Sequence, residues 1–217
     1  MTGTIRRASA VVLLLLTAGA AGPAGAALIE AGWTHAYVGL ENEGDGIYLS
    51  FSNEIPWNNE VFDASYELAY VQKAGSQPTF FSDPVTGFTT EDAEVTLHYL
   101  QPGIFLGARV PGLDFVPRIY TGFSIDLKVS ENWSGFPGIA SEEYGYKNTD
   151  LDVHVGATLG VGPVLVDFRF SQGLTGQLLQ DNQPLPLAKA EEPPEGYEKP
   201  VVGAKIHHYQ LGVGFAF

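Results

Sequence analysis

The side chains that could carry chemistry fall into three groups: 5 histidines, the serines near them, and charged residues set at alternate positions in otherwise apolar stretches. The histidines are His35, His98, His154, His207 and His208. A zinc-type site needs ligands that return to one face, and no HExxH or similar spacing occurs. His207 and His208, adjacent on an extended strand, would point to opposite sides. No metal site and no cofactor are therefore expected. A Ser/His/acid hydrolase acting on lipid could be assembled from Ser124 or Ser171 with His154, but no nucleophile-elbow motif surrounds either serine. With 0 cysteines there is no disulfide framework, no thiol nucleophile and no lipid-anchored cysteine.

The charged residues follow a pattern. Asp63, Glu67, Arg109, Arg118, Asp126, Lys128, Asp152, Asp167 and Arg169 alternate with apolar neighbours, so in strands they would share one inner face. A buried ion left alone costs far more than one inside a hydrogen-bonded network. The expected arrangement is a lumen charge network of Glu67, Arg109, Asp126, Lys128, Asp152, Asp167 and Arg169, joined by Asp63 and Arg118, whose charges neutralise one another as a structural plug. The alternative is a selective ion or proton path.

Strands must position these charges, and the sequence supplies 8 candidates in order. The first, about Gly32 to Leu40, is ambiguous in phase: Trp33, His35 and Tyr37 compete with Ala36, Val38 and Leu40 for the outer face. Ile47 to Ser52 follows, with Ile47, Leu49 and Phe51 outward. Phe62 to Gln72 has Phe62, Ala64, Tyr66, Leu68 and Tyr70 outward. Glu94 to Val110 places first Val95, Leu97 and Tyr99, then Ile104, Leu106, Ala108 and Val110 outward, which implies a bulge at Pro102-Gly103. Phe115 to Val129 comes next. Asn148 to Val161 and Val164 to Gly176 form a hairpin at Gly162-Pro163, whose two-residue turn would set Thr158 opposite Asp167, Gly156 opposite Arg169 and His154 opposite Ser171. An arginine opposite a glycine has room to bend into a narrow lumen.

The closing stretch, Lys205 to Phe217, alternates strictly. Tyr209, Leu211, Val213, Phe215 and Phe217 form one apolar face that ends on an aromatic carboxylate, the insertion signal expected of a final barrel strand. Tyr66, Tyr70, Tyr99, Tyr209, Phe215 and Phe217 lie near strand ends, where aromatic girdles form. Connections alternate in character. Glu41 to Gly46, Lys73 to Ala93, Ser130 to Lys147 and Gln177 to Ala204 would face outward, and three of these four are long and polar. Asn53 to Val61, Pro111 to Asp114 and Gly162-Pro163 would face the periplasm. An open sheet edge in hydrocarbon leaves unpaired backbone groups, so the last strand must close on the first. A soluble β-sandwich is the competing architecture.

Residues 1–26 have the parts of a secretory signal: Arg6 and Arg7, the apolar run Ala10 to Ala18, and the small-residue site Ala24-Gly25-Ala26. Residues 27–217 then form one barrel domain in the bacterial outer membrane. A formal net charge of −14 argues against nucleic acid as a partner, since that requires a basic face. The stretch Gln177 to Ala204 holds Glu191, Glu192, Glu195 and Glu198 among prolines, a composition suited to a solvated loop that could meet an extracellular partner or weakly bind a divalent cation.

Several blocks carry a family likeness. Tyr66-Glu67-Leu68-Ala69-Tyr70-Val71-Gln72-Lys73-Ala74-Gly75, Leu97-His98-Tyr99-Leu100-Gln101-Pro102, Pro117-Arg118-Ile119-Tyr120-Thr121-Gly122, Gly156 to Gly162, Asp167 to Leu174, and Gly212 to Phe217 resemble successive blocks of the small outer-membrane barrel domain called "porin family", related to the PorT and OmpX-like barrels. The resemblance implies an all-β, eight-stranded antiparallel up-and-down transmembrane β-barrel with no catalytic residues to carry over. A barrel of that size is filled by its own side chains. The expected protein is a monomer surrounded by outer-membrane lipid, inserted by the barrel-assembly machinery, and not an enzyme. Its expected role is structural, or surface interaction through acidic loops. Narrow channel transport is the alternative, and lipid-modifying enzymology a third reading.

Overall fold

The computed structural model describes residues 27–38, 43–56, 59–83, 87–111, 115–134, 148–175 and 205–217, with backbone alone for 76–83, 87–93, 115 and 133. The leader expected at 1–26, the loop Gln177 to Ala204 and most of the connection Ser130 to Lys147 lie outside the described residues.

Alternation of apolar with small or polar residues, enriched in aromatic and β-branched types, drives the chain into eight strands. They are β1 (Ala27–Tyr37), β2 (Glu43–Ile55), β3 (Phe62–Asp83), β4 (Gly87–Arg109), β5 (Phe115–Ser134), β6 (Thr149–Val161), β7 (Val164–Gly173) and β8 (His207–Ala216). Each pairs antiparallel with the next, and β8 pairs with β1 from Leu28↔Ala216 to Tyr37↔His207, closing a barrel in sequence order. Closure replaces the β-sandwich alternative. The seam is tied at its end by Ala27 N donating to Phe217 O (3.2 Å) and Phe217 N donating to Ala27 O (2.9 Å).

The outer surface is an apolar belt. Ile47, Ile104, Ile119, Phe123, Val155 and Val213 are all more than half exposed, as only a surface facing hydrocarbon tolerates over such an area. On β8, Tyr209, Leu211, Val213, Phe215 and Phe217 face outward, while His208 and Gln210 are buried in the lumen. The phase of β1 is settled likewise: Thr34, Ala36 and Val38 are buried inside, and Trp33, His35 and Tyr37 face out.

The β6–β7 hairpin has the expected register, Val161↔Val164 through Thr158↔Asp167, Gly156↔Arg169 and His154↔Ser171. Gly162 supplies the positive φ of 59° that its two-residue turn requires.

Three expectations are corrected. First, within the stretch Lys73 to Ala93, residues 73–83 and 87–93 are strand rather than loop: β3 and β4 continue as a ribbon paired from Gly75↔Val95 to Asp83↔Gly87. Its acidic residues read as loop, but the threonines and phenylalanines at 79–81 and 88–90 favour extended pairing. Second, β4 has no phase change at Pro102-Gly103. Its ladder with β5 lapses at Gln101–Pro102, where proline has no N–H to give, and resumes at Gly103↔Ser124 in the same register. The bulge lies on β5, where Val129 is extra between the pairs His98↔Ser130 and Tyr99↔Lys128. Third, Val95, Leu97 and Tyr99 face inward, so Tyr99 belongs to no outer girdle. With Ala36, Val38 and Ile206 they form a buried apolar cluster inside the barrel. Apolar alternation marks the outer face only where the inside is polar, and at this end the inside is apolar too.

Candidate functional site: the layered lumen

Ala27, Phe217 and the Gly162-Pro163 turn lie at one mouth of the barrel, here the terminal end; Tyr37, Thr149, Gly173 and His207 lie toward the other, the loop end. Inward residues stack between them in layers.

At the terminal end, the Arg118 guanidinium grips Asp63, with Nη2 at 2.6 Å and Nε at 2.9 Å from Oδ1. Arg109 reaches Glu54 at 3.1 Å and lies 3.5 Å from Asp63.

The next layer centres on Arg169. Its Nη1 and Nη2 donate to the two oxygens of Glu67 at 2.6 and 2.8 Å, the paired geometry a planar fork provides. Its Nε donates to Tyr120 Oη at 2.9 Å, and that hydroxyl donates onward to Asp167 at 2.8 Å. Thr158 donates to the same carboxylate at 3.0 Å. Beside them Tyr48 donates to Glu30. The guanidinium lies 4.7 Å from the Phe105 ring centre, a cation–π contact. Gly156 does sit opposite Arg169, but the space over it holds the Tyr120 ring, which a Cβ there would strike. A cavity of about 130 Å³ lies against this layer, lined by Glu30, Glu54, Glu67, Arg118, Asp167 and Arg169 among others.

Further toward the loop end, the Lys73 ammonium donates to Asp126 Oδ2 at 2.6 Å and to Asp152 Oδ2 at 3.1 Å, all three groups being fully buried. Gln101 donates to the other oxygen of Asp126 at 2.5 Å. His154 sits between Ser124 and Ser171, each hydroxyl 2.7 Å from one ring nitrogen. Both nitrogens are therefore occupied, and no carboxylate hydrogen-bonds this ring among the described residues, so the hydrolase arrangement lacks its orienting acid. Above this layer the apolar cluster around Leu97 and Tyr99 caps the lumen. Beside the cap Lys128 pairs with Glu131 at 2.6 Å. Residues three apart on a strand normally face opposite ways; the Val129 bulge brings these two to one side.

The structure thus brings Glu67 and Asp167 to Arg169, Asp126 and Asp152 to Lys73, and Arg109 to Glu54, while Lys128 pairs locally. Lys73, Glu30 and Tyr48 were missed by the sequence reading. Lys73 did carry a signal, because it continues the inward odd-numbered series Asp63, Ser65, Glu67, Ala69, Val71 of β3. The remaining histidines are dispersed. His35 bonds Asp45 at 2.8 Å, His98 bonds Tyr70 at 2.5 Å, and His207 stacks on Tyr37. Among the described residues no group of three or more His, Asp or Glu is placed to hold a metal.

The molecule is a closed eight-stranded antiparallel barrel, apolar outside and charged within. It is similar to Ail, the attachment invasion locus protein of Yersinia pestis, solved in complex with the heparin analogue sucrose octasulfate: 12% identity, 89% of this chain and 99% of that chain covered, TM-score 0.40. It is similar to the outer membrane enzyme PagL, with 12% identity, 87% and 98% coverage and TM-score 0.43. It is also similar to Neisserial surface protein A, with 11% identity, 88% and 97% coverage and TM-score 0.47. No family model and no curated protein sequence matches the chain.

Proposed function

We propose that this protein is a bacterial outer-membrane barrel whose role is structural or surface-interacting, with its working surface on the loops rather than in the lumen. One observation carries the reading: inside the apolar belt, two ion-paired layers and an apolar cap fill the lumen in series. A solute crossing it would have to part a buried ion pair, which costs about 3–5 kcal/mol, and also wet the cap. Function then falls to what the rigid wall displays. The acidic stretch Gln177 to Ala204 is the surface most suited to an external partner or a divalent cation.

In this reading residues 1–26 are cleaved on export, the outward face of β8 is the signal for the barrel-assembly machinery, and the protein works as a monomer in outer-membrane lipid. The likeness of its sequence blocks to the "porin family" and OmpX-like domains accords with such a barrel and does not require conduction. Single-channel recording of the refolded protein in a planar bilayer tests the proposal. The expected record is silent across a wide voltage range, with heat-modifiable migration on gels showing that the barrel has folded. Discrete, reproducible openings would overturn it in favour of a narrow channel.

A further inference from the structure

At the terminal end the lumen holds more acid than base. Among the described residues, the carboxylates of Glu30, Glu54, Asp63, Glu67 and Asp167 share the guanidinium groups of Arg109, Arg118 and Arg169. Glu54 has Arg109, Asp63 has Arg118, Glu67 takes the Arg169 fork, and Asp167 lies 3.8 Å from Arg169 Nε. Glu30 is the exception. It is 2% exposed, its Oε1 accepts from Tyr48, and its Oε2 has no hydrogen-bond or ion-pair partner among the described residues. A buried carboxylate without a cation is costly, so this one calls for a positive charge.

Glu30 lines the cavity of about 130 Å³ that borders the Arg169 layer. Two glycines of β8 form the wall beside it. Tyr48 Oη and Glu30 Oε1 meet over Gly212, while the Leu28 and Leu165 side chains meet over Gly214, one inward position nearer the terminal mouth. Leu28, Leu165 and Ala216 also line the cavity, which therefore has an apolar collar and an uncompensated acid deeper in. Two other lining side chains, Glu54 and Arg118, are 38% and 22% exposed, so the cavity is reached from the terminal mouth.

We propose that this cavity binds a small primary alkylammonium, its head group donating to Glu30 and its chain lying against Leu28 and Leu165. The volume suits about six non-hydrogen atoms, since a cavity of ~150 Å³ holds benzene. A metal ion suits the place less well. Glu67 gives both oxygens to Arg169, and both oxygens of Asp167 accept from Tyr120, so Glu30 is the inner acid with an oxygen to offer. One such oxygen is a poor metal site, whereas an ammonium needs few acceptors and brings its own N–H donors. The site stands whether or not the loops meet a partner.

The test is to refold the full chain in detergent micelles and follow the Gly212 and Gly214 amides by NMR while n-butylammonium chloride replaces sodium chloride at constant ionic strength and pH. Both amides are expected to shift saturably, with half-saturation near roughly 1 mM. Glu30→Gln, which keeps the side chain's size and an acceptor for Tyr48, should weaken binding at least about tenfold. Ala216→Leu leaves every charge in place, fills the collar, and should also abolish the shift; it reports even if the first variant fails to fold. No saturable shift in the unaltered protein would overturn the proposal. An equal response to 1-butanol would overturn it as well, because the collar alone would then hold the chain. Full binding by Glu30→Gln would place the ammonium elsewhere and sink the assignment.

Discussion

The two buried ion-paired layers meet the same problem, carboxylates inside a narrow tube, with different cations and different results. In the Arg169 layer a planar guanidinium takes Glu67 with two nitrogens and engages Tyr120 with a third, and Tyr120 passes the interaction to Asp167. In the Lys73 layer an ammonium sits between Asp126 and Asp152, and Asp152 keeps an unused oxygen. The Arg169 layer borders a cavity at the terminal end, whereas the Lys73 layer is fully buried beneath the apolar cap. The directional fork satisfies two acids through a relay; the ammonium meets one oxygen of each acid, and Gln101 meets the second oxygen of Asp126 while that of Asp152 has no partner among the described residues. The difference teaches that burial, more than the number of ion pairs, should set what each layer contributes.

The largest effect is expected from Lys73→Met, which keeps much of the volume but leaves two buried carboxylates with no cation. Urea unfolding in micelles should show a loss of about 4 kcal/mol. Arg169→Ala should cost less, about 2 kcal/mol, because water from the adjoining cavity can reach Glu67 and Asp167. If Arg169→Ala proves the more damaging of the two, the cavity does not hydrate its layer and the comparison reverses. The smallest effect should come from Asp45→Asn, outside the lumen. It breaks the His35–Asp45 contact of 2.8 Å, but Asp45 is 67% exposed. Under about 0.5 kcal/mol is expected by the same measurement, and a larger loss would mean that the outer rim carries stability assigned here to the lumen.

Much of the barrel was legible residue by residue. Where the lumen is polar, as along Phe62 to Gln72 or the β6–β7 hairpin, alternation identified both faces, and the Gly162-Pro163 turn identified the register. Where the lumen becomes apolar, the same rule assigned Val95, Leu97 and Tyr99 to the wrong side and invented a bulge to explain them. The candidate site was legible as a set of inward charges but not as pairs. Arg169 meets Glu67 across 102 positions of sequence, and Lys73 meets Asp152 across 79. Nothing local in the chain encodes such partners.

Sequence alone determined that this chain forms strands, that its closing strand has one apolar face, and that the charges alternating with apolar residues along those strands face inward, because side chains on a strand alternate regardless of what lies beyond them. Only the tertiary structure decided which charges meet, where the bulge falls, that Tyr120 fills the space over Gly156, and that the loop end of the lumen is capped by apolar residues. Those outcomes depend on how eight strands are staggered around a closed ring, and the stagger is a property of the whole circuit of hydrogen bonds rather than of any one strand.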